Sequence, residues 1–278
     1  MKKEFIFTEL LVQLSLTIIK PIIFIIAFSP FVLSIICQKY LSNLLFFIYI
    51  SLSLLLFPVL TLLIIALIFK LLPNVPNGKH NFFTKHYYIW LFKDLIHETV
   101  VTSSFLNNLV IRIKPVRYIF YSIIGIPNKS FIILANDVRI LDPDRVHIGK
   151  FTFIGINTIL SGHIIRSGRL VLEKIHIGNS NILGAFCSVA CGVKTGNDCK
   201  IDSFVTLNNN VTIGNNSVVL GKSLIDSYVK IGNNVRIGKS CIIGSNTIIE
   251  DKAIIGDYLR IGSNKIIKRG EIVKTDML

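Results

Sequence analysis

From Val171 to Ile267 a large aliphatic residue recurs at every sixth position. The series runs Val171, Ile177, Leu183, Val189, Thr195, Ile201, Leu207, Ile213, Val219, Ile225, Ile231, Ile237, Ile243, Ile249, Ile255, Ile261 and Ile267, with Thr195 its one polar member. The next position is usually glycine, as at Gly178, Gly184, Gly196, Gly214, Gly232 and Gly238, with Asp202, Asn208 and Asp226 in its place elsewhere. These residue types tolerate left-handed backbone, which tight corners require. Four residues after the aliphatic stands a mostly small residue such as Cys187, Cys199, Ser217, Ser223 or Cys241. The pattern predicts one short strand and a turn per hexad, with three hexads closing a triangular coil. Each coil needs its neighbours to bury the ladder. This domain is expected over residues 130–278, and its small inward cysteines are expected to be inert.

Upstream, Ile148, Ile154 and Leu160 also step by six, and Gly149 and Gly155 repeat the glycine. The phase then slips between Leu160 and Val171, within Ser161–Leu170. A smooth prism offers few places for chemistry, so the break is where to look. It holds His163, the candidate site residue, beside Arg166 and Arg169, which could hold an anionic group. The plainer alternative is a solvated loop histidine with two surface arginines. His147 and His176 each end a hexad and are expected near corners, with His176 the reserve candidate. Asp142, Pro143 and Asp144 read as a turn.

The N-terminal part is different in kind. Half of the 278 residues are hydrophobic (51%) and the mean hydropathy is +0.63, too apolar for an ordinary soluble domain of this size. Leu41–Phe69 has no charged residue, and Pro21–Tyr40 is apolar up to Gln38 and Lys39. A membrane span needs roughly 20 residues, which the first stretch exceeds and the second just meets. Spans are expected at about 21–40 and 44–69 within an N-terminal segment 1–72, as a hairpin. A cleaved signal peptide fits less well, because no small-residue cleavage site follows. Lys2, Lys3, Lys70, Lys79, Lys85 and Lys93 flank the hairpin and Lys39 alone sits in its loop. The positive-inside rule then places both termini in the cytoplasm of a bacterial-type inner membrane.

Residues 73–129 connect the two parts. The stretch is rich in Phe82, Phe83, Tyr87, Tyr88, Trp90 and Phe92, followed by Arg112, Lys114, Arg117 and Tyr118. That composition suits interfacial helices, or a helical cap on the solenoid, or both. The net charge of +14 points to membrane lipid rather than nucleic acid, for which no motif is present. Five cysteines without a paired framework fit a reducing compartment.

The ladder resembles the hexapeptide-repeat acyltransferase superfamily, whose fold is an all-β left-handed parallel β-helix. The stretch Asp142-Pro143-Asp144-Arg145-Val146-His147-Ile148-Gly149, His163, Gly168–Leu172 and Ile177-Gly178 resembles the membrane-associated terminal region of nonribosomal peptide synthetase-like proteins. No adenylation or carrier domain accompanies it in this sequence. The resemblance implies a left-handed winding, a homotrimer, acetyl-CoA or another acyl-CoA as donor, a glycan or lipid-linked hydroxyl as acceptor, and a histidine as general base, for which His163 is the candidate and His176 the reserve. Two other functions fit the same features: a non-catalytic scaffold, and a zinc enzyme of the carbonic-anhydrase type. The second is disfavoured because His147, His163 and His176 are spaced by 16 and 13, not by an 18-residue coil. No metal is expected.

Overall fold

A computed structural model of the chain describes residues 2–125 and 131–278. The expected boundary at 129–130 lies outside the described residues. Three parallel sheets of eight, seven and seven strands form the C-terminal solenoid, and beyond the first coils each strand pairs with one 18 residues on, as Lys200 does with Val218. The ladder residues point inward and are almost wholly buried. Each such side chain taken from water stabilises by about 1.5–3 kcal/mol, so the column is the main source of the domain's stability. Leu134 and Ile140 extend it by two rungs at its start.

Three expectations change. Val171 is not a rung: it lies on a strand, Arg169–Leu172, that leaves the prism. In the coil that contains it, Ile148 pairs with Ile177 and Ile154 with Leu183, 29 positions apart. That coil thus carries an 11-residue insertion. The insertion folds as a β-hairpin, His163–Arg166 against Arg169–Leu172, turned by Ser167 and Gly168 at positive φ. A third antiparallel strand, Gly78–Asn81, pairs with its outer edge.

The glycines after the rungs also have a different cause. Their φ is not positive; the left-handed corners fall two residues later, as at Ser180, Asn216 and Asn234. A Cβ on Gly178 would lie 2.2 Å from the Gly196 carbonyl oxygen, and one on Gly214 2.6 Å from Gly232. Close approach of successive coils, rather than backbone handedness, demands glycine there.

The small inward residues do more than save space. Ser217, Ser223 and Thr247 donate to the carbonyls of Gly232, Gly238 and Gly262 on the next coil, at 2.8, 2.9 and 2.9 Å. Thr195 is explained similarly. Its Oγ1 accepts from Asn181 Nδ2 at 3.0 Å, while Asn181 Oδ1 accepts from the Cys199 amide at 2.6 Å. Asn181 is fully buried. Thr195→Val is therefore expected to destabilise by about 1–3 kcal/mol despite being more apolar, because it strips a partner from a buried amide. Thermal melts of the two proteins, with Thr195→Ser as the rescuing control, check this.

The N-terminal part is helical. α1 (Lys2–Leu14) continues through a π-helical turn, Ser15–Ile19, into α2 (Lys20–Ile36). After a short 3-10 turn comes α3 (Asn43–Leu71). The stretches Phe5–Tyr40 and Asn43–Leu71 are long and apolar enough to cross a membrane. They pack as a hairpin, with Ser34 and Ser53 hydroxyls 2.9 Å apart as a buried polar link. Then follow α4 (Lys85–Thr102), α5 (Ser104–Arg112) and α6 (Lys114–Ile124). These cap the first coils. Arg117 donates to the carbonyls of Ile111 and Ile132, and Asn107 to that of Val138. Phe69 of α3, Ile96 and Val100 of α4 and Phe120 of α6 join one core with the first rungs.

Candidate active site at the base of the hairpin

The insertion places His163 where the first coils, α4 and the hairpin meet. His163 Nδ1 lies 2.6 Å from Asp142 Oδ2. A carboxylate only accepts, so Nδ1 carries the proton and Nε2 is the basic nitrogen. The other Asp142 oxygen accepts from Trp90 Nε1 of α4 at 2.9 Å. The Trp90 and His163 rings meet edge to face at 4.8 Å. Asp142 thus orients the imidazole from one side while Trp90 fixes Asp142 from the other. Asp142 is 5% exposed, and the His163 side chain 20%.

Asp142 stands at the start of the 3-10 turn Pro143–Arg145, so the turn expected there is present. What the sequence reading missed is that its carboxylate faces inward. Arg145 is also buried, donating to Asn77 Oδ1 and the Val75 carbonyl, each at 2.6 Å. Lys93 reaches Asn74 at 3.1 Å and Asp144 at 3.4 Å. The residual cavity beside these groups, lined by Trp90, Asp94, Asp142 and Arg145, is only ≈ 10 Å³. Trp90, Lys93 and Asp94 sit on a helix far from the solenoid in sequence. The composition of that segment reads as interfacial or as a cap, and no sequence pattern ties these residues to His163.

Electrostatics follow from burial and pairing. Burial by itself pushes the Asp142 carboxyl up, but the hydrogen bond and charge of His163, with Trp90 and Arg145, hold it below its ordinary value. Burial pushes His163 down, and the hydrogen bond it donates to Asp142, together with the charges of Asp142 and Asp94, outweighs this and leaves His163 raised. The pair's stabilisation is full above the ordinary carboxylate pKa and lost in acid as Asp142 protonates. On the alkaline side it is lost as pH rises through the raised His163 value. Asp94 is pushed up to about 6, first by burial and then by the Asp142 charge. Its neutral form is the one the fold prefers, so its contribution is full below 3.8 and is lost as pH rises through about 6. Asp94→Asn is expected to raise Tm more at pH 7.5 than at pH 4.5. An equal rise at both would reject a buried, proton-binding Asp94.

The remaining expected residues lie elsewhere. Arg166 and Arg169 face each other across the exposed hairpin tip, three residues out from His163. Arg166 lies over the Tyr228 ring at 5.9 Å. The structure does not bring them to His163. His176 stacks on His147 at 4.5 Å with the rings nearly parallel, because the insertion puts these residues in register. His176 opens onto a cleft of ≈ 640 Å³ with Asn77, Glu173, Lys174 and Lys194. Among the described residues no group of three or more His, Cys, Asp or Glu side chains could hold a metal ion. Burial pushes the Cys191 thiol up to about 12, so it is no nucleophile.

No family model and no curated protein matches the chain. Solved structures do. A UDP-N-acetylglucosamine acyltransferase from Campylobacter jejuni is similar at 14% identity and a TM-score of 0.41, over 52% of this chain and 65% of that one. The Arabidopsis UDP-N-acetylglucosamine acyltransferase is similar at 20% identity and a TM-score of 0.32, over 53% and 59%. A GDP-perosamine N-acetyl transferase from Caulobacter crescentus, in complex with CoA and GDP-perosamine, is similar at 17% and 0.19, over 35% and 49%. The C-terminal part of this chain is, by its own strand pairing, a parallel β-solenoid of hexad coils. The chain spans less than two thirds of the length of each of these proteins. The hexapeptide solenoid here differs from an uninterrupted prism in its hairpin and in the helical layer that closes over Asp142 and His163.

Proposed function

We propose that this chain is a membrane-anchored acyltransferase that moves an acyl group from a CoA thioester, in the simplest case acetyl-CoA, to a hydroxyl of a glycan or lipid-linked acceptor. The Asp142–His163 pair, set at the hairpin insertion and braced by Trp90, carries the proposal. In this scheme His163 Nε2 takes the acceptor hydroxyl's proton as the oxygen attacks the thioester carbonyl. The C–O bond forms, the tetrahedral oxyanion collapses, the C–S bond breaks, and the imidazolium returns the proton to the leaving thiolate. Asp142 holds the tautomer and stabilises the imidazolium. The two apolar helices would anchor the solenoid at the cytoplasmic face, where a lipid-linked acceptor is concentrated. A homotrimer, and anion binding by Arg166 and Arg169, belong to the same proposal.

The closeness of the packing around Asp142 favours a second reading. A residual space of ≈ 10 Å³ suits a structural clasp between α4 and the solenoid, in a scaffold without catalysis. The two are separated by incubating the full chain in lipid nanodiscs with acetyl-CoA and a membrane glycan and polar-lipid fraction. Free CoA thiol is then followed against pH. The transferase reading expects release that climbs with pH above about 6.5 and levels off as His163 loses its proton. Background release at every pH, with acetyl-CoA and longer acyl-CoAs alike, would leave the scaffold.

A further inference from the structure

Bulky aromatics sit at solenoid corners where the backbone disfavours them. Phe131, Phe151, Phe186 and Phe204 all have positive φ, between 56° and 62°. Equivalent corners elsewhere carry Asn157, Asn216, Asn234 and Asn264, which tolerate this conformation. The phenylalanines gain no burial in exchange, since Phe131 and Phe151 are each 68% exposed. They stack in pairs along the column: Phe131 on Phe151 at 5.7 Å, and Phe186 on Phe204 at 5.0 Å with the rings 5° apart.

The two pairs flank one face. Between them runs the outward column Ile133, Phe153 and Ile182, in register on successive coils and all exposed. The column turns polar beyond it: Ile182 is followed by Lys200, Phe151 by Ser180 and Phe204 by Lys222. Lys200, Val218 and Arg236 interrupt the column before Ile254 and Ile272 expose apolar side chains again at its far end, so the unbroken apolar run, with its flanking phenylalanines, lies at the coils nearest the helical layer. α6 adjoins it, because Arg117 holds the Ile132 carbonyl, and it adds exposed Tyr118 and Ile119. Exposed Arg112, Lys114, Lys150 and Lys200 surround the patch.

We propose that this face, with the adjoining surface of α6, lies on the anionic lipid surface, so that the solenoid docks side-on against the bilayer. Aromatic rings rimmed by lysine and arginine suit the headgroup region. The occupant follows from continuity: the patch begins at the coils that pack on α6 and α3, and α3 is one of the two candidate spans. The inference rests on reading those helices as spans, and it is independent of any role for His163.

The test uses the full chain in nanodiscs of brominated phosphatidylcholine and phosphatidylglycerol, with Trp90, the single tryptophan, as a common background. Phe151→Trp and Phe186→Trp place a reporter at the patch. Leu55→Trp marks α3, and Tyr228→Trp marks the corner opposite the face. Side-on docking expects emission at the two patch positions to be quenched to within a factor of about two of that at Leu55→Trp, with Tyr228→Trp unaffected. Quenching at Leu55→Trp without quenching at the patch overturns the inference and leaves the anchor standing. No quenching at Leu55→Trp overturns both. Protection of the patch reporters from brominated lipid and from aqueous iodide alike would assign the face to a second copy of the chain and overturn the lipid assignment.

Discussion

Alanine in place of His163 is expected to lower the rate of CoA thiol release by about 10²–10⁴-fold, the range spanned by loss of a general base. A base acting only in the transition state should lower kcat and kcat/KM together and leave KM nearly unchanged. Asp142→Asn separates orientation from packing. The amide fills the same space and keeps an oxygen for one donor, but it removes the charge that raises His163. The surviving activity should then turn on at lower pH than in the parent. Rates for His163→Ala equal to the parent's, with the acetyl transfer itself present, would reject the assigned base. Loss of fold in both variants and in Trp90→Phe, with only background thiol release from the parent, would point to the clasp.

The second large effect concerns the fold. Gly214→Ala would place a Cβ 2.6 Å from the carbonyl carbon and oxygen of Gly232 on the next coil. Backbone, not a flexible side chain, stands in the way, so coils must part or the strands shift register. Overpacking costs about 1–3 kcal/mol where side chains can yield, and this site should lie at the top of that range or above it. Asn216→Gly, at a left-handed corner two residues on, should be nearly neutral. Melting both variants in the full chain measures the difference. If Gly214→Ala melts with the parent, close coil stacking is not why glycine is there.

This contrast shows how the hexad pattern can be read correctly for the wrong reason. Rungs, coil length and the place of the break were all legible, since a buried column at a fixed period can be satisfied by few backbones. The cause of the glycines was not, because a single chain's pattern does not reveal how near the next coil comes. Val171 fell on the right spacing by coincidence: an 11-residue insertion differs from two hexads by one position, so the period resumes six residues later.

The site was partly legible. His163 stood out because it interrupted a regular ladder. Its partners did not, since Asp142 sits in a stretch with every mark of an ordinary turn, and Trp90 and Asp94 belong to a helix whose composition suits a membrane interface equally well. Arg166 and Arg169 are near His163 in sequence, but a hairpin carries them away, because an extended strand advances about 3.3 Å per residue.

Local spacing alone determined that the C-terminal half stacks as triangular coils and that two apolar helices precede it, because both are set by periodicity and by the length of uncharged runs. Only the tertiary structure decided which acid faces His163, which faces of the prism are covered, and where apolar rings remain outside. Those depend on how α4–α6 close over the first coils, and that docking joins residues that no repeat relates, from Arg117 and Ile132, 15 positions apart, to Trp90 and Asp142, 52 apart.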